Sequence, residues 1–145
     1  MEKQKLDKTS FVKKLNDDLA SEFRSIVQYV QHISSIKGAK YQQIVGELRE
    51  HLSQELEHAM ALAQQIDFLG GTPNCDVPGF ETKKSAGAAL EQDLALEERQ
   101  LDRYRQRIEE ANELGLPDVA EALSSLLTET QDHVHDLRGA LGKAA

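Results

Sequence analysis

The sequence predicts an all-α fold: four helices that form two antiparallel hairpins joined by one long crossover. Four segments repeat apolar residues at intervals of three and four, which is the period of one helix face. Only three prolines interrupt the 145 residues, whereas strands need frequent turn punctuation. The connections between the four segments are short, long and short. A single domain over residues 1–145 is therefore expected, since this length builds one sizeable core.

The four helices are predicted at about 8–37, 41–69, 85–114 and 118–142. Glycines mark the ends of the first three, at Gly38, Gly70-Gly71 and Gly115. The fourth begins at Pro117-Asp118, a favourable N-terminal pair. Because the first and third connections are short, helices one and two, and helices three and four, should be antiparallel neighbours.

The second connection, about residues 70–84, is the crossover. Extended, it spans roughly 50 Å, and a helix of 27 residues is about 40 Å long. The crossover can therefore run the length of the bundle and start helix three parallel to helix two.

Composition restricts the function. The net charge of −8 makes DNA an unlikely partner, because phosphate binding needs a concentrated basic surface. No run of about 18 apolar residues exists, so no membrane span is expected. Cys75 is the only cysteine, which favours a reducing compartment, the cytoplasm. An acidic surface also suits a protein that attracts metal cations.

Glutamates occupy core positions in three helices: Glu22, Glu55 and Glu97. A buried carboxylate is costly unless it is paired or binds a metal. For any one of them, a pair with an arginine such as Arg24 is the commoner arrangement. Three glutamates directed at one core, with His58 three residues after Glu55, favour a metal site.

An internal repeat of 75 residues strengthens this interpretation. It relates Glu22 to Glu97, Tyr29 to Tyr104, and His58 to His133. The resulting pattern is typical of a carboxylate-bridged dinuclear site, in which two helices give one Glu each and two give a Glu-x-x-His pair. Four carboxylates would neutralise two divalent ions. Oxygen and nitrogen donors suit iron, with manganese or zinc as alternatives, and leave positions for O₂ or peroxide.

The repeat has one defect. The residue 75 positions after Glu55 is Thr130, and Glu129 stands one residue earlier. We predict that Glu129 is the sixth ligand, brought inward by a π-bulge before His133. Asp132 and His135 are expected to face water. Two further histidines, His32 and His51, are interpreted as surface or channel residues rather than ligands.

Four stretches resemble the bacterioferritin and ferritin-like family. They are "LASEFRSIVQYVQH", "QELEHAMALAQQIDFLGGTPN", "DLALEERQLDRY" and, more weakly, "ETQDHVHDL". The resemblance implies a ferritin-like fold, a di-iron site and ferroxidase activity, in which O₂ or peroxide oxidises Fe(II) and ferric mineral is stored inside a protein shell. It implies metal ligation by Glu22, Glu55, His58, Glu97 and His133, and Tyr29 matches the tyrosine near the metals. Because Tyr29 lies two turns from Glu22, it is a candidate electron donor, with a simple core aromatic as the alternative.

Two departures from the family modify these expectations. Bacterioferritins bind haem through a methionine directly after the ligand Glu of helix two; this position is Leu56, so no haem is expected. The sequence ends just after helix four and lacks the fifth helix of 24-subunit ferritins. A homo-oligomer of the smaller, Dps-like kind, with twelve subunits, is the expectation.

Two other functions stay open. One is a peroxide-reducing di-metal enzyme of the rubrerythrin or manganese-catalase kind, although no CxxC pair for a rubredoxin centre is present. The other is a non-catalytic shell or adaptor subunit with a degenerate metal site, which Thr130 would explain.

Overall fold

A computed structural model describes residues 5–143. Its helices are α1 (Lys8–Ser35), α2 (Gln42–Phe68), α3 (Ala86–Glu113) and α4 (Pro117–Ala140), with a short 3₁₀ turn at Ala39–Tyr41 before α2. Each bound differs from the predicted one by two residues at most. The described residues contain no strand, and the predicted all-α bundle is confirmed.

Local capping explains where the helices begin. At the start of α1, Ser10 N donates to Asp7 Oδ1 at 2.8 Å and Asp7 N donates to Ser10 Oγ at 3.1 Å, a reciprocal capping box. Ser85 caps α3 by accepting the Ala88 N–H at 3.1 Å. The first residue of α4 is Pro117, whose missing N–H would have no helical partner there.

Glycines in the left-handed region end α2 and α3. Gly70 has a φ of 87° and Gly115 a φ of 73°, conformations that cost a residue with a Cβ considerably more. The residue after the glycine closes the last helical turn. After Gly115, Leu116 N donates to Ala111 O at 2.8 Å, as in a Schellman motif.

Contacts between the hairpins set the helix directions. Tyr29 and Glu97 meet across α1 and α3, and so do Glu22 and Tyr104. A higher residue number on α1 therefore pairs with a lower one on α3, so these helices are antiparallel. Since α2 is antiparallel to α1, it is parallel to α3, as the long crossover predicted.

Side chains of α1 and α3 hold the crossover against the bundle. Asn16 donates to Thr72 O at 3.1 Å and accepts the Asn74 N–H at 2.9 Å. Further along, Gln92 donates to Glu81 O at 2.7 Å. These bonds give polar backbone groups of an irregular segment a partner without burying the segment.

The core consists of two apolar clusters with a polar layer between them. One cluster includes Phe11, Leu15, Leu62, Ile66, Val119 and Leu123. The other includes Tyr29, Leu48, Leu90, Leu94, Val134 and Leu137. Glu22, Glu55, His58 and His133 lie between residues of the two clusters along α1, α2 and α4. On α3, Glu97 lies between Leu94 and Leu101 of the second cluster, one turn before Tyr104 of the first. The apolar clusters therefore close the polar layer at both ends of the bundle.

A buried ion pair joins α1 and α3 beside the polar layer. The Arg107 guanidinium donates to both oxygens of Asp18, at 2.8 and 3.2 Å, and to Glu110 at 2.9 Å. Burial raises the pKa of Asp18 to about 6, although Arg107 pulls it down. At neutral pH Asp18 is therefore a carboxylate, and each charge of the pair depends on the other.

We expect Asp18→Ala to lower the free energy of unfolding by about 3 kcal/mol, because it leaves the Arg107 charge buried and less compensated. Thermal or denaturant unfolding followed by circular dichroism measures the loss. Asp17→Ala removes an exposed carboxylate next to it and is the control. Equal stability of the two variants would contradict this account of the pair.

Candidate metal centre

Three carboxylates and two imidazoles meet in the polar layer. Glu22 from α1, Glu55 and His58 from α2, Glu97 from α3 and His133 from α4 are all buried to 1% exposure or less. They form two groups in which the ligand atoms lie within 4.8 Å of one another. The groups are Glu22–Glu55–His58 and Glu55–Glu97–His133, so Glu55 belongs to both.

The two histidines approach Glu55 from opposite sides. His58 Nδ1 lies 3.6 Å from Glu55 Oε2 and 3.8 Å from Glu22 Oε1. His133 Nδ1 lies 2.9 Å from Glu55 Oε1 and 3.3 Å from Glu97 Oε2. Each Nδ1 therefore faces one oxygen of Glu55 and one carboxylate of its own. This is the arrangement of two ion positions that share a bridging carboxylate.

Helix periodicity explains the convergence. Glu55 and His58 are three residues apart on α2 and share its inner face. The antiparallel α1 and α3 bring Glu22 and Glu97 to the same level from the opposite wall. These five residues are those that core positions, the repeat and the family resemblance nominated, and the structure brings them together.

Two tyrosines bind the outer carboxylates across the helix pair. Tyr29 donates to Glu97 Oε1 at 2.7 Å, and Tyr104 donates to Glu22 Oε1. Gln100 also donates to Glu22 Oε1, at 2.7 Å. Burial, and then the neighbouring carboxylates, raise the pKa of both tyrosines, so both phenols stay protonated donors.

The carboxylates of the free protein cannot all carry a full charge. Burial, and then the charges of Glu22 and Glu97, raise the pKa of Glu55 well above its usual value. For Glu97, burial acts in the same direction, but hydrogen bonds, first from His133, hold its pKa at about 2. The pKa of Glu22 is also lowered, against burial, by Glu55 and His58. Of the three carboxyls, Glu55 is therefore the one whose neutral form the surroundings favour.

The residues fit a pair of divalent cations. Glu22 Oε2, Glu55 Oε2 and His58 Nδ1 are buried without a hydrogen-bond partner among the described residues, an arrangement that is costly unless something else binds them. Two ligands about 2.1 Å from one ion lie about 4.2 Å apart or less. The distances from the two Nδ1 atoms to the carboxylate oxygens, 2.9–3.8 Å, lie within this limit.

The fourth helix differs from the prediction. Its residues are α-helical throughout Pro117–Ala140, so the expected π-bulge before His133 is wrong. Thr130 is buried, and its hydroxyl donates to Leu126 O at 2.7 Å. Glu129 lies outside both ligand groups, with 29% of its side chain exposed and Oε1 at 3.5 Å from His58 Nε2. Asp132 and His135 are exposed, as predicted.

His32 and His51, expected at the surface or in a channel rather than as ligands, are both buried and belong to neither ligand group. His32 donates to or accepts from Asp93 at 2.7 Å, and His51 binds Asp136 at 2.9 Å. The His51 ring stacks on His133 with centroids 4.0 Å apart. A surface position is wrong for both histidines, because acidic partners from the facing helices satisfy the buried imidazoles. The channel alternative stays a prediction.

Comparison with known proteins gives the class of the chain. A family model described as a ferritin-like domain matches residues 12–145. The chain therefore belongs to the ferritin-like family.

The sequence is similar to bacterioferritins. It is 25% identical to the bacterioferritin of Desulfovibrio desulfuricans over 128 residues, which cover 88% of this chain and 72% of that protein. It is 27% identical to the bacterioferritin of Brucella melitensis over 124 residues, or 85% and 77% of the two chains.

Solved structures share the fold over almost the whole chain. A ferritin-like, diiron-carboxylate protein from Bacillus anthracis has a TM-score of 0.89 at 26% identity and covers 95% of this chain and 99% of its own. A dodecameric thioferritin, the bacterioferritin-related protein of Bacteroides fragilis, has a TM-score of 0.81 at 27% identity, with coverage of 95% and 88%.

The raised pKa of Glu55 should make cation binding depend on pH. Where Glu55 is protonated, a divalent ion must displace its proton, so binding should release protons and affinity should rise as the pH rises above the ordinary carboxyl range. Calorimetric titration with Co(II) in two buffers of different ionisation enthalpy measures the release. Glu55→Gln should release fewer protons. Affinity that does not change with pH would contradict the assignment of this proton.

Proposed function

We propose that this protein is a ferroxidase that oxidises Fe(II) with O₂ or peroxide at a di-iron site within one subunit, and that it sequesters the ferric product. The single observation that carries the proposal is Glu55, a buried carboxylate shared by two Glu/His groups. Iron is here the substrate and cargo. The ligands proposed for it are Glu22, Glu55, His58, Glu97 and His133.

The residues suit a two-electron oxidation of two Fe(II). With peroxide as oxidant, two Fe(II) and two protons convert H₂O₂ into two waters and two Fe(III). Glu55 holds both ions close to one oxidant, which lets each ion supply one of the two electrons. The three carboxylates stabilise the higher charge of Fe(III) in a pocket from which the apolar clusters exclude bulk water.

Tyr29 is the proposed redox side chain. Its hydroxyl is buried and donates to Glu97, so a single carboxylate separates it from one ion position. With peroxide and only one Fe(II), a phenol at this distance can supply the second electron: Fe(II), the phenol, H₂O₂ and one proton give Fe(III), a phenoxyl radical and two waters. The role proposed for Tyr29 is thus to donate an electron, while the imidazoles and carboxylates bind iron.

A non-catalytic shell subunit is the second candidate function, and Thr130 is the observation that favours it. Two divalent ions bring four positive charges, while the two ligand groups contain three carboxylates. A site with one carboxylate fewer can bind cations more weakly or bind only one. Peroxide reduction by a di-metal enzyme would use the same residues and differs in the oxidant that it prefers.

We expect Glu55→Ala to abolish two-ion binding and to slow Fe(II) oxidation at least about tenfold, because it removes the ligand common to both positions. Anaerobic Fe(II) titration measures the stoichiometry. The absorbance of the ferric product, after mixing with O₂ or with peroxide, measures the rate and identifies the preferred oxidant.

Two variants separate binding from oxidation. Glu57→Ala removes an exposed carboxylate two residues away and should behave like the wild type. Tyr29→Phe keeps all proposed ligands and should bind two ions yet oxidise them more slowly. A wild-type protein that binds two Fe(II) without accelerating their oxidation would favour the shell or adaptor role.

The proposed assembly is a cytoplasmic homo-oligomer of twelve subunits, without haem. Exposed apolar side chains support association: Val27 and Val30 on α1, and Leu56 and Met60 on α2, are each 43–59% exposed. The dodecameric relative from Bacteroides fragilis supports the number. Among residues 5–143, no helix combines the length and apolar character that a membrane crossing requires.

Light scattering after size exclusion should give a mass of roughly 190 kDa, twelve times the 16.2 kDa of one chain. A monomer at micromolar concentration would contradict storage in a shell. It would leave the oxidation chemistry possible, since all five proposed ligands belong to one chain.

A further inference from the structure

Each histidine of the metal centre has a second ring nitrogen that faces away from the carboxylates. Nδ1 of His58 and Nδ1 of His133 both face Glu55. When a cation binds a neutral imidazole through Nδ1, the ring hydrogen must be on Nε2. A buried N–H requires an acceptor, and this acceptor fixes the orientation of the ring.

The acceptors come from the facing helix in both cases. Nε2 of His133, on α4, lies 2.6 Å from Oε1 of Gln54 on α2. Nε2 of His58, on α2, is buried without a hydrogen bond of normal length and lies 3.5 Å from Oε1 of Glu129 on α4. A small rotation of the partly exposed Glu129 side chain would complete the second contact.

The internal repeat relates these two acceptors to each other. Gln54 plus 75 is Glu129, just as Glu55 plus 75 is Thr130 and His58 plus 75 is His133. The regular α4 helix preserves this register, since no bulge shifts it. Glu129 therefore occupies the place of Gln54, which binds a histidine, and Thr130 occupies the place of the bridging ligand.

We infer that Glu129 is a positioning residue that accepts the hydrogen of His58 Nε2, and that Gln54 does the same for His133. Glu129 carries a negative charge and Gln54 is neutral. This difference makes the His58 position bind the first divalent cation. The inference rests on the proposed function, because it assumes that cations occupy the two groups. Glu129 is then not the predicted sixth ligand. It lies outside the coordination shell and orients the ligand His58.

The chemical difference between the two acceptors gives the order of binding. A carboxylate that accepts the ring N–H raises the basicity of the other nitrogen more than a neutral amide does, which strengthens its bond to a cation. Glu129 also supplies a negative charge close to the three buried carboxylates. It partly compensates for the carboxylate absent at Thr130, without taking up a coordination position.

Anaerobic titration with Co(II) tests the inference, because cobalt reports binding by calorimetry and coordination by its visible spectrum. The wild type should bind two ions in two steps. Glu129→Ala should weaken the tighter step about 10–100-fold, and Glu129→Gln, which keeps an acceptor oxygen, should weaken it less. Both variants should retain two ions and the wild-type coordination spectrum of the first ion.

The repeat offers a reciprocal variant and a matched control. Gln54→Glu should strengthen the weaker step, and the exchange Gln54→Glu with Glu129→Gln should reverse the order of the two positions. Asp132→Asn removes an exposed carboxylate from the same helix three residues away and should leave both steps unchanged. The control separates a specific contact with His58 from a general loss of negative charge.

Three results would overturn the inference in distinguishable ways. Unchanged binding steps in Glu129→Ala, beside a strong effect of Glu55→Ala, would remove Glu129 from the centre and leave the metal site intact. Loss of one whole cobalt ion with an altered spectrum in Glu129→Ala would make Glu129 a ligand. Absence of cobalt and iron binding in the wild type would overturn the proposed function, and the inference with it.

Discussion

The burial of three carboxylates around one point is the constraint on which the rest of this structure depends. Glu22, Glu55 and Glu97 repel one another in a medium where charges are poorly screened, and apolar clusters close the layer on both sides. Donors to the outer two carboxylates reduce this repulsion: Tyr104 and Gln100 bind Glu22, and Tyr29 binds Glu97. The same repulsion raises the pKa of Glu55. Two cations would relieve it more completely. They would also bind Glu22 Oε2 and Glu55 Oε2, which have no hydrogen-bond partner among the described residues.

The approximate twofold symmetry explains how one bundle can hold so many buried polar groups. Two kinds of polar contact between α1 and α3 have a counterpart 75 residues away: Glu22–Tyr104 matches Glu97–Tyr29, and Asp18–Arg107 matches Asp93–His32. Each buried acid thus meets a donor from the facing helix, and neither hairpin could satisfy its own carboxylates alone. The same symmetry makes the exceptions informative. In the repeat, His51 corresponds to Leu126 and Asp136 to Ala61. The His51–Asp136 pair beside His133 therefore has no equivalent beside His58.

The sequence carried enough information to predict the helices, their order and five convergent site residues. Core glutamates stand out in an apolar stripe, and the repeat of 75 residues reveals which of them share a centre. Contacts between helices were less accessible, because helix periodicity gives the face of a residue but not the group that it meets. His32 and His51 are buried since Asp93 and Asp136 reach them from α3 and α4. The expected bulge in α4 was wrong because it assumed that the charge of Glu129 had to enter the coordination shell.

Position 130 shows how an altered ligand can be accommodated without a change of fold. Thr130 has a hydroxyl that bonds to Leu126 O within its own helix, so the missing carboxylate leaves no unsatisfied polar group on α4. The loss is electrostatic rather than structural: one negative charge fewer faces the ions. A carboxylate at position 129, beside His58, replaces part of this charge through an imidazole instead of through a direct bond. A centre built in this way keeps the bridging Glu55 and both histidines. Because a carboxylate faces Nε2 of His58 and an amide faces Nε2 of His133, the inferred scheme makes the two metal positions unequal.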